Sequence, residues 1–411
     1  MKRIRTMNIN KDSPRFQFFI LNLMCFLTIL SIIVIGVIFI HPFLSVVPIN
    51  DGHKYYFMAE INLMQGGIPF RYRILTPLLV AILPVETLIG FIIVNLTGFY
   101  ATSLLFYYFL RKIGFSFTIS LSGVFLFIIS PVNIFLLQHI CFVEFLTFFF
   151  FLLALYALLD SNKKLFLISV TIGTANKETL LITLVLFFYL ELKEKDLRSS
   201  ILSTLLISIP PISVFLIIRY TMHFIAVYYS HITIIITLQR HLNVININIF
   251  FHPYMFYLTF GVLWLISFLY FYSKKIENPF LKKSIILLPF IFLQGFFAID
   301  YTRPIFIAFP IIIPISLYLL KNPLQRKYLI LILIITLILL ISQIIGPLYF
   351  FRSTPKIIIE FESYVYYVLL SSLFTIYLML ILVYLLFKDL KIRNSEENEI
   401  NLENRNKNSI T

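Results

Sequence analysis

The chain has 411 residues, of which 60% are hydrophobic and 13% charged, with a formal net charge of +14. A soluble domain is about one-quarter charged, and a mean hydropathy of +0.95 argues for repeated membrane-spanning helices rather than the few soluble domains that the length would allow. The Lys and Arg residues sit in short clusters between apolar runs, which is the pattern of membrane topology and excludes a nucleic-acid-binding face.

In chain order, apolar segments fall at 16–40, 74–94, 96–110, 115–137, 142–159, 165–176, 178–191, 200–219, 254–272, 283–299, 304–320, 327–346 and 364–387. The first is too long for the core of a cleaved signal peptide, and no small-residue cleavage site follows it. Only Gly90, Asn95 and Gly98 interrupt 74–110, so 74–84, bounded by Pro77 and Pro84, reads as an amphipathic or re-entrant lead-in. The spanning helix is then about 86–110. The expected fold is an all-α integral membrane protein of about 12 transmembrane helices, within a range of 10–13. Residues 1–387 are expected to form a single polytopic domain, and the polar, Asn/Glu-rich tail 388–411 to be disordered.

Charge supplies the orientation. With the N-terminus inside, 24 of the 33 Lys and Arg residues fall on the inner side, and every inner turn carries at least two. Both termini are therefore expected in the cytoplasm of a multi-pass protein of the cell (plasma or inner) membrane. The three long outer loops are 41–73, 220–253 and 347–363.

Segments 165–176 and 178–191 are short for a hydrocarbon core of about 30 Å. Their polar connection, Asn176-Lys177-Glu178, is expected to dip below the outer surface as a half-helix or re-entrant turn. Irregular backbone at that depth is tolerated where protein or water surrounds it, and ionisable groups there are costly and usually functional. Lys177 and Glu178 are candidates on that ground, with mutual pairing as the plain alternative. Glu144, at the outer end of segment 142–159 just after His139, is a similar case.

The first outer loop carries Asn50-Asp51-Gly52-His53-Lys54-Tyr55-Tyr56. Asn-Asp-Gly is a turn signal, but a carboxylate placed just after an apolar helix can also take a proton from an incoming hydroxyl. Arg71 and Arg73 flank Tyr72 where the chain re-enters the membrane. They suit interfacial snorkelling and phosphate binding alike, because the guanidinium is a planar fork of donors. Arg303, in Asp300-Tyr301-Thr302-Arg303-Pro304, is a further outer cation with Asp300 as a local partner. Arg219, His223, His231, Arg240, His241 and His252 decorate the region around loop 220–253, and the His spacing matches no compact metal motif. Cys25 and Cys141 read as small apolar residues. A P-loop, HExxH, GxSxG and a dinucleotide fingerprint are all missing.

Taken in order, Asp51-Gly52-His53-Lys54-Tyr55-Tyr56, Pro69 to Pro77, Ser130-Pro131 through Glu144, and Gly173 to Thr179 resemble the GT-C superfamily of membrane glycosyltransferases. The resemblance covers about the first 190 residues. Asp51 is followed by Gly52 rather than by a second acid, and there is no large soluble C-terminal domain. The resemblance implies transfer of a sugar from a polyprenyl-phosphate donor to a glycan, lipid or protein acceptor on the outer face. In that mechanism Asp51 is the general base. Arg71, Arg73, Lys177 and Arg303 stabilise the leaving phosphate, and Glu144 and Glu178 orient the sugar or the cations. No metal is assigned; a divalent ion is compatible but not indicated. Two other readings stay open: an O-antigen-type polysaccharide polymerase or ligase, and a lipid-linked sugar transporter or flippase.

Overall fold

A computed structural model of the protein describes residues 19–23, 51–63, 70–224, 259–261, 263–264, 266–267, 276, 278–297 and 302–321. These residues are mostly helical, and no strand occurs among them. The helices are α1 (Asp51–Glu60), α2 (Leu75–Ile82), α3 (Thr87–Ile113), α4 (Phe117–Ile128), α5 (Pro131–Gln138), α6 (Glu144–Leu159) and α7 (Lys163–Asn176). They continue with α8 (Thr183–Glu194), α9 (Leu197–Phe224), α10 (Pro279–Ser284), α11 (Leu287–Phe297), α12 (Thr302–Phe306) and α13 (Phe309–Lys321). Short 3-10 turns lie at Phe70–Tyr72 and Glu178–Ile182.

Local chemistry explains where these helices start and stop. α3 closes with Arg111 and Lys112 in its last turn and Gly114 at φ 105°, a left-handed position that glycine adopts without strain. Between α4 and α5, Pro131 supplies no amide hydrogen, and the Ser130 hydroxyl accepts from the Asn133 amide at 3.3 Å. The two helices therefore bend by 51° instead of running as one. Asn162 caps α7 by accepting from the Leu165 amide, and Asn278 caps α10 by accepting from the Leu281 amide.

Two described helices, Thr87–Ile113 and Leu197–Met222, are long and apolar enough to cross a bilayer, and the bent α4–α5 pair makes a third if counted as one span. Segments 327–346 and 364–387 and the tail 388–411 lie outside the described residues, as does nearly all of 16–40. Within the described part, several expected elements differ in detail. The lead-in 74–84 is the short helix α2, and α3 follows at Thr87. Segment 178–191 begins as a 3-10 turn before α8. Segment 304–320 is broken into α12 and α13. The loop expected at 41–73 contains α1, because His53 to Ala59 is a run without glycine or proline. The helix expected over 200–219 is α9 and runs on to Phe224, so Arg219 lies within the helix rather than at the edge of the loop expected at 220–253.

Phenylalanine builds the centre. Phe127 of α4 meets Phe99 and Phe106 of α3 at 5.7 and 5.8 Å, Phe306 of α12 at 5.9 Å and Phe309 of α13 at 4.5 Å between ring centroids. Phe148 of α6 joins from the other side, 5.3 Å from Phe306. Each such pair is worth about 0.5–1.5 kcal/mol beyond burial. The cluster therefore ties residues near 306 to helices formed some 150–200 residues earlier.

α6 and α7 pack antiparallel, joined by the turn at residues 160–162. At this end Lys112 binds Asp160, and Glu191 of α8 accepts from Lys163 at 2.6 Å and Lys195 at 2.7 Å. The opposite end holds the start of α6 and the end of α7. At 1.5 Å per residue α7, with 14 residues, is only about 21 Å long, shorter than a hydrocarbon core of about 30 Å.

Candidate functional site

The site is built around Asn176, the last residue of α7. Its Oδ1 accepts from the Thr76 amide at 3.2 Å and the Thr76 hydroxyl at 2.6 Å. Its Nδ2 donates to the Val143 carbonyl at 2.8 Å and the Thr147 hydroxyl at 2.9 Å. The Ile74 amide donates to the Ala175 carbonyl at 3.1 Å. One buried amide thus joins the start of α2, the start of α6 and the end of α7. Asn95 of α3 adds a second clamp, donating from Nδ2 to the carbonyls of Ile140 and Phe142 just ahead of Glu144.

After Asn176 the helix ends because Lys177 is extended, at φ −160° and ψ 130°. Two charged side chains then project at successive positions. Lys177 Nζ donates to Glu144 Oε1 at 3.0 Å, and Arg303 Nη1 reaches the same oxygen at 3.3 Å. The Arg303 guanidinium also lies 4.2 Å from the centroid of the Phe142 ring. Glu178 Oε1 accepts from Arg73 Nη2 at 3.3 Å. Arg73 Nη1 donates to the hydroxyl of Tyr55 at 2.9 Å. Tyr55 belongs to α1, one helical turn after Asp51.

The structure therefore brings together Arg73, Glu144, Lys177, Glu178 and Arg303, which come from four distant parts of the chain. Burial is graded across the set. Glu144 is 1% exposed, Lys177 5% and Arg303 8%, whereas the Glu178 side chain is 28% exposed. Among the described residues three cations face two carboxylates. Glu144 Oε2 is buried with no hydrogen-bond partner among the described residues. A buried acceptor with one free oxygen is a position where a hydroxyl can bind.

Arg71 is half-buried and forms no ion pair among the described residues. Asp51 opens α1, and its side chain lies outside the described residues. The side chain of His223 and residues His231, Arg240, His241 and His252 also lie outside them, as do Asp300 and Cys25. Cys141 is buried and unbridged. His139 makes a 3.0 Å contact from Nδ1 to the Phe135 carbonyl. No three His, Cys, Asp or Glu side chains converge among the described residues.

Sequence reading missed Tyr55, Thr76, Asn95, Asn176 and Thr147. Asn176 and Tyr55 stand inside stretches that the sequence singles out, but their neighbours there are charged, and charge drew the assignment. Thr76, Asn95 and Thr147 are small polar residues in apolar helices, a signal that membrane helices use for interhelical hydrogen bonds. No protein-family model, no curated protein and no solved structure matches this chain.

Proposed function

We propose that the protein is a multi-pass membrane glycosyltransferase of the cell membrane, with about 12 crossings and both termini in the cytoplasm. It moves a sugar from a polyprenyl-phosphate donor to an acceptor hydroxyl on the outer face. The observation that supports this reading is the buried network of Arg73, Glu178, Lys177, Glu144 and Arg303. Burying ionic groups costs several kcal/mol per ion unless each is paired, and ionisable groups at membrane depth are functional by default. Among the described residues this network has an open acceptor on Glu144 Oε2 and three cations to two carboxylates. The first suits a sugar or acceptor hydroxyl, and the second suits a leaving phosphate.

In the proposed reaction the acceptor hydroxyl gives its proton to Asp51 as its oxygen bonds to the anomeric carbon. The bond from that carbon to the phosphate oxygen breaks, and the electron pair leaves with the lipid phosphate. Arg71, Arg73, Lys177 and Arg303 offset the charge that develops there. Glu144 holds Lys177 and Arg303, Glu178 holds Arg73, and both carboxylates accept from sugar hydroxyls. Asp51 enters through α1, which Tyr55 ties to Arg73.

The test is sugar transfer by the full chain reconstituted in lipid vesicles with polyprenyl-phosphate sugars of several kinds. Wild type is expected to release polyprenyl phosphate and label an acceptor once per turnover, and folded Asp51→Asn is expected to lose this by at least a hundredfold, the usual range for a general base. Full activity in Asp51→Asn removes Asp51 from the role. Joined repeat units as product, or translocation of the lipid with no bond broken, would each overturn the reading in favour of a polymerase or a flippase.

A further inference from the structure

The cations of the buried network are committed to partners within the protein. Arg73 binds Tyr55 and Glu178, and Lys177 and Arg303 share Glu144. Two other arginines are not so committed. Arg219 of α9 lies flat against Tyr72, 4.7 Å from its ring centroid, and against Phe215 at 4.5 Å. Arg71 precedes Tyr72 on the same 3-10 turn, against which α9 packs. Both guanidiniums have a buried Nε with no hydrogen-bond partner, and neither forms an ion pair among the described residues. The sequence offers no local acid either: none occurs from 61 to 85 or from 197 to 276.

The helix below Arg219 adds a second, independent observation. Ile212, Leu216 and Arg219 follow helical spacing and share one face of α9. Ile209, Ile212, Leu216 and Ile217 are all exposed, on a helix long and apolar enough to span a bilayer. Arg219 stands one turn before the end of that span. An exposed apolar track leading up to a half-buried guanidinium with no ion pair among the described residues matches an amphiphile with an anionic head. Arg is suited to phosphate in such a place, because its fork donates to two oxygens while its face stays on an aromatic ring.

We infer that Arg71 and Arg219, set about Tyr72, form a binding site for the phosphate group of a membrane-embedded amphiphile, whose hydrocarbon chain lies along the exposed face of α9. Because the glycosyltransferase reading also places Arg71 on the donor's lipid phosphate, the inference rests on that reading for the identity of the amphiphile and adds to it Arg219 and the exposed track of α9.

The experiment uses the full chain in maltoside detergent and native mass spectrometry, with dodecyl phosphate, dodecanol and inorganic phosphate as probes. Wild type and Arg198→Gln, an exposed arginine at the other end of α9, are expected to bind dodecyl phosphate equally. Arg219→Gln and Arg71→Gln are each expected to weaken it roughly tenfold, the value of one charge-assisted contact. If Arg219→Gln does not fold, Arg71→Gln alone decides the outcome. Unchanged binding in the folded variants overturns the site. Equal binding of dodecanol removes the phosphate from it, and equal binding of inorganic phosphate removes the lipid. Sugar transfer is not measured here, so this result and the proposed function fail separately.

Discussion

Asn176 holds Thr76 twice, by its backbone amide and by its hydroxyl, while the amide nitrogen of Asn176 reaches back to Val143 and Thr147. The residues it fixes stand directly beside the charged ones: Thr76 follows Arg73 by three positions, Val143 precedes Glu144, and Asn176 itself precedes Lys177. Asn176 is fully buried, so a substitution that leaves its partners unmet has no water to replace it.

Asn176→Ala is therefore expected to destabilise the protein by about 1–3 kcal/mol for each group left unsatisfied. Asn176→Asp keeps the acceptor for Thr76 and turns a second carboxylate oxygen on the Val143 carbonyl, so it is expected to be at least as damaging. Thermal unfolding in detergent checks both. Equal stability of wild type and Asn176→Ala would show that the amide is dispensable.

Glu144 and Lys177 are expected to be energetically coupled. Lys177→Met leaves Glu144 with Arg303, and removing one partner of a buried pair costs about 3–5 kcal/mol. Adding Glu144→Gln to Lys177→Met is expected to cost less than the two single losses summed, because the contact between the two side chains can be lost only once. A double-mutant cycle on unfolding free energies measures the coupling, and additive effects would mean that the 3.0 Å contact carries none.

Tyr55→Phe tests the tie between α1 and the network. It removes the acceptor that Arg73 Nη1 uses at 2.9 Å, which is expected to cost about 1.5–3 kcal/mol, as for hydrogen bonds to charged groups. If Asp51 acts as proposed, the same variant also lowers the turnover rate more than it raises the Michaelis constant, since it loosens the base rather than the binding of substrate.

Gly173 is required for close approach. A Cβ there would stand 1.9 Å from Leu180 Cδ2 and 2.7 Å from Phe150 Cβ. Gly173→Ala is expected to destabilise by about 1–3 kcal/mol through overpacking. Leu180→Ala in the same chain makes room at one of the two contacts and is expected to restore part of the loss, read again from thermal unfolding.

The start of α9 carries a pH dependence. Asp196 accepts from the Ser199 amide at 3.1 Å and the Ser199 hydroxyl at 2.7 Å, and these bonds hold its carboxyl below the ordinary range. A depressed folded value contributes stability above the unfolded value of about 3.9 and loses it as pH falls through the folded one. The first turn of α9 is expected to fray under acid conditions, and Asp196→Ala to fray it at neutral pH. Hydrogen exchange at Ser199 and Ser200 reads both.

Much of this was legible one residue at a time. Arg73, Glu144, Lys177, Glu178 and Arg303 stand out because charge in or beside an apolar run is expensive wherever the chain folds. The stops at Gly114 and Pro131 follow from backbone chemistry that needs no partner. The bend between α4 and α5 is written in Ser130-Pro131, although hydropathy alone runs straight through it.

Pairing was not legible in this way. Lys177 could have bound Glu178, its neighbour in sequence, but binds Glu144 across 33 positions, and Arg303 joins them across 159. Arg73 takes Glu178 from 105 positions away. Hydropathy and charge are properties of single residues and their near neighbours, and they determine which segments are apolar and where charge is costly. Which carboxylate meets which cation depends on how Phe127 and Phe148 pack α12 against α4 and α6, and on where Asn176 pins α7 to α2. Those contacts come from shape complementarity between distant helices, which no local pattern encodes.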